Sequence, residues 1–150
     1  MLKIASALLA LALVMNAESG VDVYSAKDVQ VLGQKLSQKH ARSATQDLAR
    51  YGNHYMLLAV REGTGSAELH EREADVFVIM SGQATLVSGG KILNARPLKA
   101  GEIRGTSIQG GERRQLAPGD VVHIAARTPH QLLIENGKTF TYFVVKVTGQ

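Results

Sequence analysis

Short apolar runs separated by glycine-rich turns recur from residue 46 onward, and this pattern limits the possible folds more than any other feature. Several short strands at regular spacing are typical of an all-β sandwich or barrel. Asn136 and Gly137 also predict a β-hairpin with a type I′ turn, because both central residues of that turn need a positive φ. The predicted strands cover residues 55–60, 76–80, 84–87, 121–124, 131–134 and 140–147.

A single helix is predicted ahead of these strands. Ser25 offers a hydroxyl group for an N-cap and Asp28 follows three residues later, which is the pattern of a capping box. Apolar residues then recur at helical spacing up to Leu36, so the helix is expected over about residues 26–39. We interpret the polar residues that follow, up to Thr45, as a linker, and expect the helix to cover one face of the β-sheet core.

The first residues have the features of a signal peptide. Lys3 precedes an uncharged apolar run over residues 4–15, and Ala17 and Ser19 are small residues at the spacing that a signal peptidase needs. We therefore expect cleavage after Ser19 and a periplasmic or secreted protein. A stable membrane anchor is not expected, because the apolar run is shorter than the ~20 residues of a spanning helix.

These features divide the sequence into a signal peptide (1–19), an N-terminal helical segment (20–45) and one barrel domain (46–150). About 130 residues remain after cleavage, which fits a single domain. The sequence contains no cysteine, so no disulfide supports it. The formal net charge is +4, but the basic residues are scattered, which argues against a nucleic-acid partner. Attraction to small anions remains compatible with this charge.

Residues 65–82 carry the side chains that point to chemistry. Glu68 and His70 are two residues apart, so on a strand they share a face. Asp75 begins the next apolar run, where a carboxylate is costly unless it is paired or bound to a cation. A turn at residues 71–74 would bring the three side chains together, and carboxylate and imidazole ligands suit a divalent metal. Alternatively, Glu68 acts as a general base or pairs with an arginine across the barrel.

This stretch resembles the first sequence motif of the cupin superfamily. Glu68 stands where the family has its first histidine, His70 matches the second, and Asp75 stands for the family's glutamate. Gly82 falls at the expected spacing. The resemblance implies a metal-binding position at these residues, with two of its ligands changed in identity.

A second stretch, residues 118–130, is similar to the second cupin motif, a Pro-Gly-Asp strand that ends in a Pro-His pair. The two motifs extend the resemblance over roughly residues 55–147. It implies a jelly-roll β-barrel, which together with the helix makes the expected fold an all-β cupin barrel with a short N-terminal helix. It also implies a divalent metal, with Mn, Fe or Zn favoured by the ligand types. The implied ligands are Glu68, His70, Asp75 and His130.

Four further side chains have open roles. Arg61 and Arg72 either bind a carboxylate substrate or neutralise neighbouring glutamates. Arg104 lies in the irregular segment 91–118, which either carries charge that faces a substrate or forms a solvated hairpin. His123 is expected on the barrel surface or at a subunit contact.

Two hypotheses for function follow. The first is an exported cupin that binds a divalent metal and acts on a small organic molecule inside the barrel, with the reaction type open. The second is a non-catalytic binding or sensing barrel without metal, which the changed ligands Glu68 and Asp75 keep open. A homodimer is expected because small cupins commonly pair. In addition, a second apolar face of the motif strand, formed by Val76, Val78 and Met80, needs cover from the helix or from a partner chain.

Overall fold

The computed structural model describes residues 20–150, and the predicted signal peptide lies outside the described residues. This part of the chain forms one helix, α1 (Ala26–Ser37), and thirteen strands. None of its helices is long and apolar enough to cross a membrane. The strands are β1 (Ser43–Arg50), β2 (His54–Arg61), β3 (Ala67–His70), β4 (Glu73–Ser81), β5 (Ala84–Ser88), β6 (Lys91–Leu93), β7 (Arg96–Lys99), β8 (Glu102–Gly105), β9 (Ser107–Gln109), β10 (Glu112–Leu116), β11 (Val121–Ile124), β12 (His130–Leu133) and β13 (Phe140–Thr148).

The predicted capping residues begin the helix. The Ser25 hydroxyl oxygen accepts the N–H of Asp28 at 3.1 Å, and the hydroxyl donates to the Asp28 carboxylate at 2.6 Å. This satisfies one of the backbone donors that a helix start leaves free. The helix ends at Ser37, slightly earlier than expected, and β1 already begins at Ser43. The linker is therefore shorter than predicted, because residues 43–45 pair with β2.

The helix packs on the outer face of β1 and β2. Its buried Leu36 joins a cluster with Leu58 and Val60, which point outward from β2 and are almost completely buried. Burying side chains of this size contributes about 1.5–3 kcal/mol each. The helix thus covers one face of the sheet, as expected, at the edge formed by β1 and β2.

Two antiparallel sheets face each other and enclose the core. The five-stranded sheet has the order β1-β2-β13-β4-β11, the six-stranded sheet has the order β10-β5-β12-β3-β8-β7, and β6 and β9 form a small ribbon. This arrangement is the predicted all-β jelly-roll barrel with a short helix. The residues of the main core are Ala59, Phe77, Ile79, Ala84, Leu86, Leu116, Ile124, Leu132, Ile134, Phe140, Tyr142 and Val144.

The segment 91–118, predicted to be the least regular, contains most of the strands that the sequence pattern did not show. Strands β6 to β10 lie within it. Most of their side chains are exposed or half-buried, and β7 is exposed at every position. Strands without a buried face show no apolar alternation, so their pairing depends on distant partners rather than on local pattern.

The predicted hairpin at Asn136 and Gly137 is wrong. Of the two residues, Gly137 alone has a positive φ, 75°, and the N–H of Lys138 donates to the carbonyl of Glu135 at 3.1 Å. A single positive φ at the third residue is the requirement of a type II turn. The flanking strands β12 and β13 belong to different sheets, so the turn carries the chain across the barrel instead of closing a hairpin.

Gly82 occupies a position that only glycine fits. Its φ is +78°, in the left-handed region, and a Cβ atom there would collide with the carbonyl oxygen of Thr139 and crowd the Cα of Phe140. This close approach packs the start of β13 against the end of β4. The glycine expected at this motif position therefore has a packing reason.

Candidate functional site

Three neighbouring strands of the six-stranded sheet form one wall of the site. His130 on β12 lies directly opposite Glu68 on β3, and Glu68 lies opposite Arg104 on β8. Side chains directly opposite each other share a face, so these three form a row inside the barrel. His70 follows two residues after Glu68 on the same face and lies opposite Glu102.

The other wall comes from the five-stranded sheet, where Lys146 on β13 lies directly opposite Asp75 on β4. The Lys146 Nζ is 2.8 Å from Oδ1 and 3.0 Å from Oδ2 of Asp75, and 2.7 Å from Nε2 of His70. Oδ1 has no hydrogen-bond partner among residues 20–150, so its contact with the ammonium is an ion pair. The Asp75 and Lys146 side chains are 2% and 13% exposed, so the pair is largely shielded from water.

The four predicted metal ligands converge at this end of the barrel. Ligand atoms of Glu68, His70 and His130 lie within 4.8 Å of one another. Oδ2 of Asp75 lies 3.5 Å from Nε2 of His70 and 3.7 Å from Nε2 of His130. Strands β3 and β4 are in different sheets, so the turn at residues 71–74 brings these side chains face to face across the barrel without pairing the strands.

The hydrogen bonds of the two histidines define which ring nitrogens carry protons. Nδ1 of His130 is 2.9 Å from the carbonyl oxygen of Thr128, which can only accept, so Nδ1 donates and Nε2 keeps its lone pair. Burial lowers the pKa of His130 despite the opposing effect of Glu68, which favours a neutral ring. An ammonium has donors only, so Nε2 of His70 accepts from Lys146.

Glu68 is held as a carboxylate by two arginines. Its oxygens lie 3.3 Å from Arg61 and 2.8 Å from Arg104. Burial by itself would raise the pKa of the Glu68 carboxyl. The contact with His70 and the charges of Arg104 and Arg61 act against burial and lower that pKa to about 2. Because Nε2 of His70 is already an acceptor, we attribute the lowered pKa mainly to the arginines.

Whether a divalent metal fits this site depends on the contacts that each ligand atom already makes. Nε2 of His130 has a lone pair available, as a metal ligand requires. The carboxylates differ, because Glu68 accepts a hydrogen bond from Arg61 and forms an ion pair with Arg104, and both oxygens of Asp75 face the ammonium of Lys146. The same ammonium occupies Nε2 of His70. A divalent ion therefore does not fit while Lys146 holds this position.

A cavity of about 330 Å³ adjoins these residues. One side of its lining is apolar, and at its edge the exposed Arg42 donates only to a backbone carbonyl, that of Thr64, among the described residues. With His130 neutral, the lining carries two more positive than negative charges, although one of the positive charges, that of Arg104, is also paired with Glu102 beside the cavity. The charged lining residues are Arg42, Arg61, Arg104, Lys146, Glu68 and Asp75.

The structure also gives the positions of the side chains whose roles the sequence left open. Arg61 points into the barrel, where its Nε donates to the hydroxyl of Tyr142 at 2.8 Å. Arg104 also lines the cavity, where its guanidinium group is paired with Glu68 and Glu102. Arg72 is exposed and lines a separate depression. His123 is exposed on the edge strand β11 and is no part of the site.

Lys146 is a site residue that the sequence pattern did not single out. Its signal was present, because Phe140, Tyr142, Val144 and Lys146 alternate along the predicted strand 140–147 and must share a face. A lysine on an inward face needs a partner as much as a carboxylate such as Asp75 does. Because an unpaired buried charge is costly, an inward-facing aspartate and an inward-facing lysine are expected to pair with each other, as Asp75 and Lys146 do.

No family model matches the sequence, and no curated protein matches it. Solved structures do match the fold. KdgF from Halomonas sp. gives a TM-score of 0.53 at 14% identity, over 73% of this chain and 82% of that one. A Cupin 2 conserved barrel domain protein from Salinispora arenicola gives 0.50 at 21%, over 70% and 75%. The polyketide cyclase RemF from Streptomyces resistomycificus gives 0.51 at 16%, over 71% and 65%.

These likenesses concern the fold alone, since the identities are low. Together with the sheet order, they show that the molecule has the jelly-roll barrel fold of cupin proteins.

Proposed function

We propose that the protein binds a small organic anion inside its cupin barrel. The observation that supports this is the cavity lining, in which four cationic side chains accompany two carboxylates. An anionic ligand would offset the excess positive charge, and arginine is well suited to bind a carboxylate through two hydrogen bonds. Structural neighbours named as a polyketide cyclase and a sugar phosphate isomerase support a small organic ligand. The proposal concerns binding and assigns no reaction.

The contacts of the cationic side chains divide their roles. Arg61 donates to the Tyr142 hydroxyl and pairs with Glu68, so it supports the wall. Arg42 is exposed and has no carboxylate partner among residues 20–150, so it is free to receive the anion at the mouth. The volume of about 330 Å³ is at the small end for ligand pockets. A compact acid therefore fits better than a large one.

Calorimetric titration with small carboxylic acids and their neutral amides tests this function. Malonate and citrate, compared with malonamide and citramide, separate the charge from the size of the ligand. Arg42→Gln should weaken carboxylate binding by about tenfold or more, the value of one charge-assisted hydrogen bond. Arg114→Gln is the matched control, because Arg114 is exposed and paired with Glu112 outside the cavity. Amides that bind as well as their acids would contradict the proposal.

A second candidate function is divalent metal binding, with Mn, Fe or Zn held by Glu68, His70, Asp75 and His130. The observation in its favour is the close approach of the ligand atoms of Glu68, His70 and His130. It requires Lys146 to leave its present position. Metal analysis of protein purified without a histidine tag separates the two functions, because only the second predicts one ion per chain.

We also propose that the protein is exported and that the mature chain begins at Gly20. The proposal depends on the signal-peptide pattern of residues 1–19. Sequencing the N-terminus of protein expressed in a bacterium with an export pathway tests it. Material that retains the first residues after export would contradict it.

A homodimer is proposed as the assembly. The helix packs on β1 and β2, so it does not cover the outer face of β4. Of the two elements that the sequence analysis expected to cover this face, the helix and a partner chain, the helix is therefore excluded. On that face Met80 is 43% exposed, and Val121 on the adjoining edge strand is 69% exposed. A second copy of the chain is the proposed cover.

A further inference from the structure

The ammonium of Lys146 lies among the four residues that would otherwise surround a metal. The backbone register places the ammonium there, because β13 pairs with β4 along most of its length and Lys146 lies opposite Asp75. The side chain reaches from one sheet to the other and contacts His70 on β3. Its position is therefore built into the central strands rather than into a loop.

We infer that Lys146 permanently replaces the metal ion in this barrel, so that the site carries its own cation. This inference rests on the proposed function, since it concerns the same cavity. The Lys146 ammonium accepts no metal beside it, because it donates to the lone pair of Nε2 of His70 and to Oδ2 of Asp75 and lies 2.8 Å from Oδ1 of Asp75. A nitrogen lone pair cannot accept a hydrogen bond and bind a metal at the same time.

Electrostatics favours the same assignment. Zinc binds an imidazole nitrogen at about 2.0–2.1 Å, whereas Nζ of Lys146 lies 2.7 Å from Nε2 of His70. An ion at Nε2 would therefore sit against the ammonium, and two cations at such a distance repel strongly in a shielded site. Glu68 lies against Arg61 and Arg104, Glu102 pairs with Arg104, and Asp75 pairs with Lys146, so each of these carboxylates already has a cationic partner.

The inference also gives Lys146 a role toward the ligand. An ammonium has three N–H donors, and in the described part of the chain two of them have acceptors, on His70 and Asp75. Lys146 lines the cavity, so the third donor is available to an oxygen atom of a bound anion. The lysine then holds that oxygen as a metal would, but as a singly charged hydrogen-bond donor.

Metal titration of wild type and of Lys146→Met tests the inference. Methionine keeps a similar length and removes the charge, which frees His70 and Asp75 to join His130 and Glu68. The variant should bind one Zn²⁺ or Mn²⁺ per chain at least about tenfold more tightly than wild type, and Zn²⁺ should raise its melting temperature but not that of wild type. Lys138→Met, a change of an exposed lysine, should behave as wild type.

Two results would overturn the inference. One is wild-type protein that binds one metal per chain as tightly as Lys146→Met does. The other is a folded Lys146→Met that gains no metal binding, or whose gain survives the added change His130→Gln. If Lys146→Met does not fold, Lys146→Met combined with Asp75→Asn removes the unpaired charge and should still bind metal more tightly than wild type. The titration uses metal ions alone, so a failed search for carboxylate ligands bears on the proposed function and not on this inference.

Discussion

The two ends of the barrel interior are built on the same strands but are held together differently. Strand β13 contributes Phe140 to the apolar end and Lys146 to the charged end, and β4 contributes Ile79 and Asp75 in the same way. The apolar end depends on volume, because its side chains fill space against one another. The charged end depends on pairing, because each buried charge is tolerated only beside its partner.

This contrast shows how a stable scaffold and a binding site can share one sheet. Phe140 is fully buried and Ile79 nearly so, and each contributes about 1.5–3 kcal/mol through removal from water. The charges at the other end contribute little net stability, since the cost of removing them from water roughly offsets their attraction. Their arrangement is accounted for by the proposed binding of an anion rather than by a contribution to stability.

The largest effect is expected at the apolar end. Phe140→Ala should lower the free energy of unfolding by about 3–5 kcal/mol, because it removes a buried ring and leaves a cavity. Phe140→Leu, which keeps much of the volume, should cost clearly less. Urea unfolding of the three proteins measures both values. Equal stability of the alanine and leucine variants would mean that volume does not govern this end.

At the charged end, Lys146→Met should lower the free energy of unfolding by about 3 kcal/mol, because Asp75 is left buried without its partner. The double variant Lys146→Met, Asp75→Leu should return to within about 1 kcal/mol of wild type, since neither charge then remains buried. A double variant less stable than either single one would show that the pair itself stabilises the fold.

Acid should weaken the charged end alone, through two groups. Glu68 has a pKa lowered from its usual 4.5 to about 2, so the stability it contributes is present above pH 4.5 and lost between 4.5 and 2. The loss is at most about 3 kcal/mol. The pKa of His130 is lowered from 6.5, so below that pH the unfolded chain binds a proton more readily and stability also falls.

Urea unfolding as a function of pH measures both losses. Glu68→Gln should flatten the profile between pH 4.5 and 2, and His130→Gln should flatten the part that begins near 6.5. Profiles that do not change in either variant would mean that other groups cause the acid sensitivity.

The smallest effect on the fold is expected outside the barrel. Val121→Asp should change the free energy of unfolding of one chain by less than about 0.5 kcal/mol, yet should convert the proposed dimer to a monomer. Leu98→Asp is the control, because Leu98 is 64% exposed on β7, in the other sheet. Light scattering measures the mass. Wild-type protein that is monomeric at all concentrations would remove the dimer.

The sequence predicted the parts of the molecule that follow local periodicity. The two-residue spacing of Glu68 and His70 placed both on one face, and the resemblance to two motifs added His130 and the fold. The alternative that Glu68 pairs with an arginine across the barrel is confirmed by Arg61, which lies on the opposite sheet. The second partner could not be predicted, because Arg104 reaches Glu68 through the pairing of β3 with β8, a strand without apolar alternation. Sheet partners are a long-range property that local sequence does not specify.

The position of β13 has a consequence for how the molecule is made. This strand comes latest in the described chain, yet it lies in the middle of the five-stranded sheet, between β2 and β4. Until residues 140–148 have been synthesised, β2 and β4 cannot be joined, and the apolar face of each lacks its neighbour. Pairing across such separations is slow, and unpaired strand edges promote aggregation. We therefore expect the barrel to remain unfolded until residues 140–148 have been synthesised.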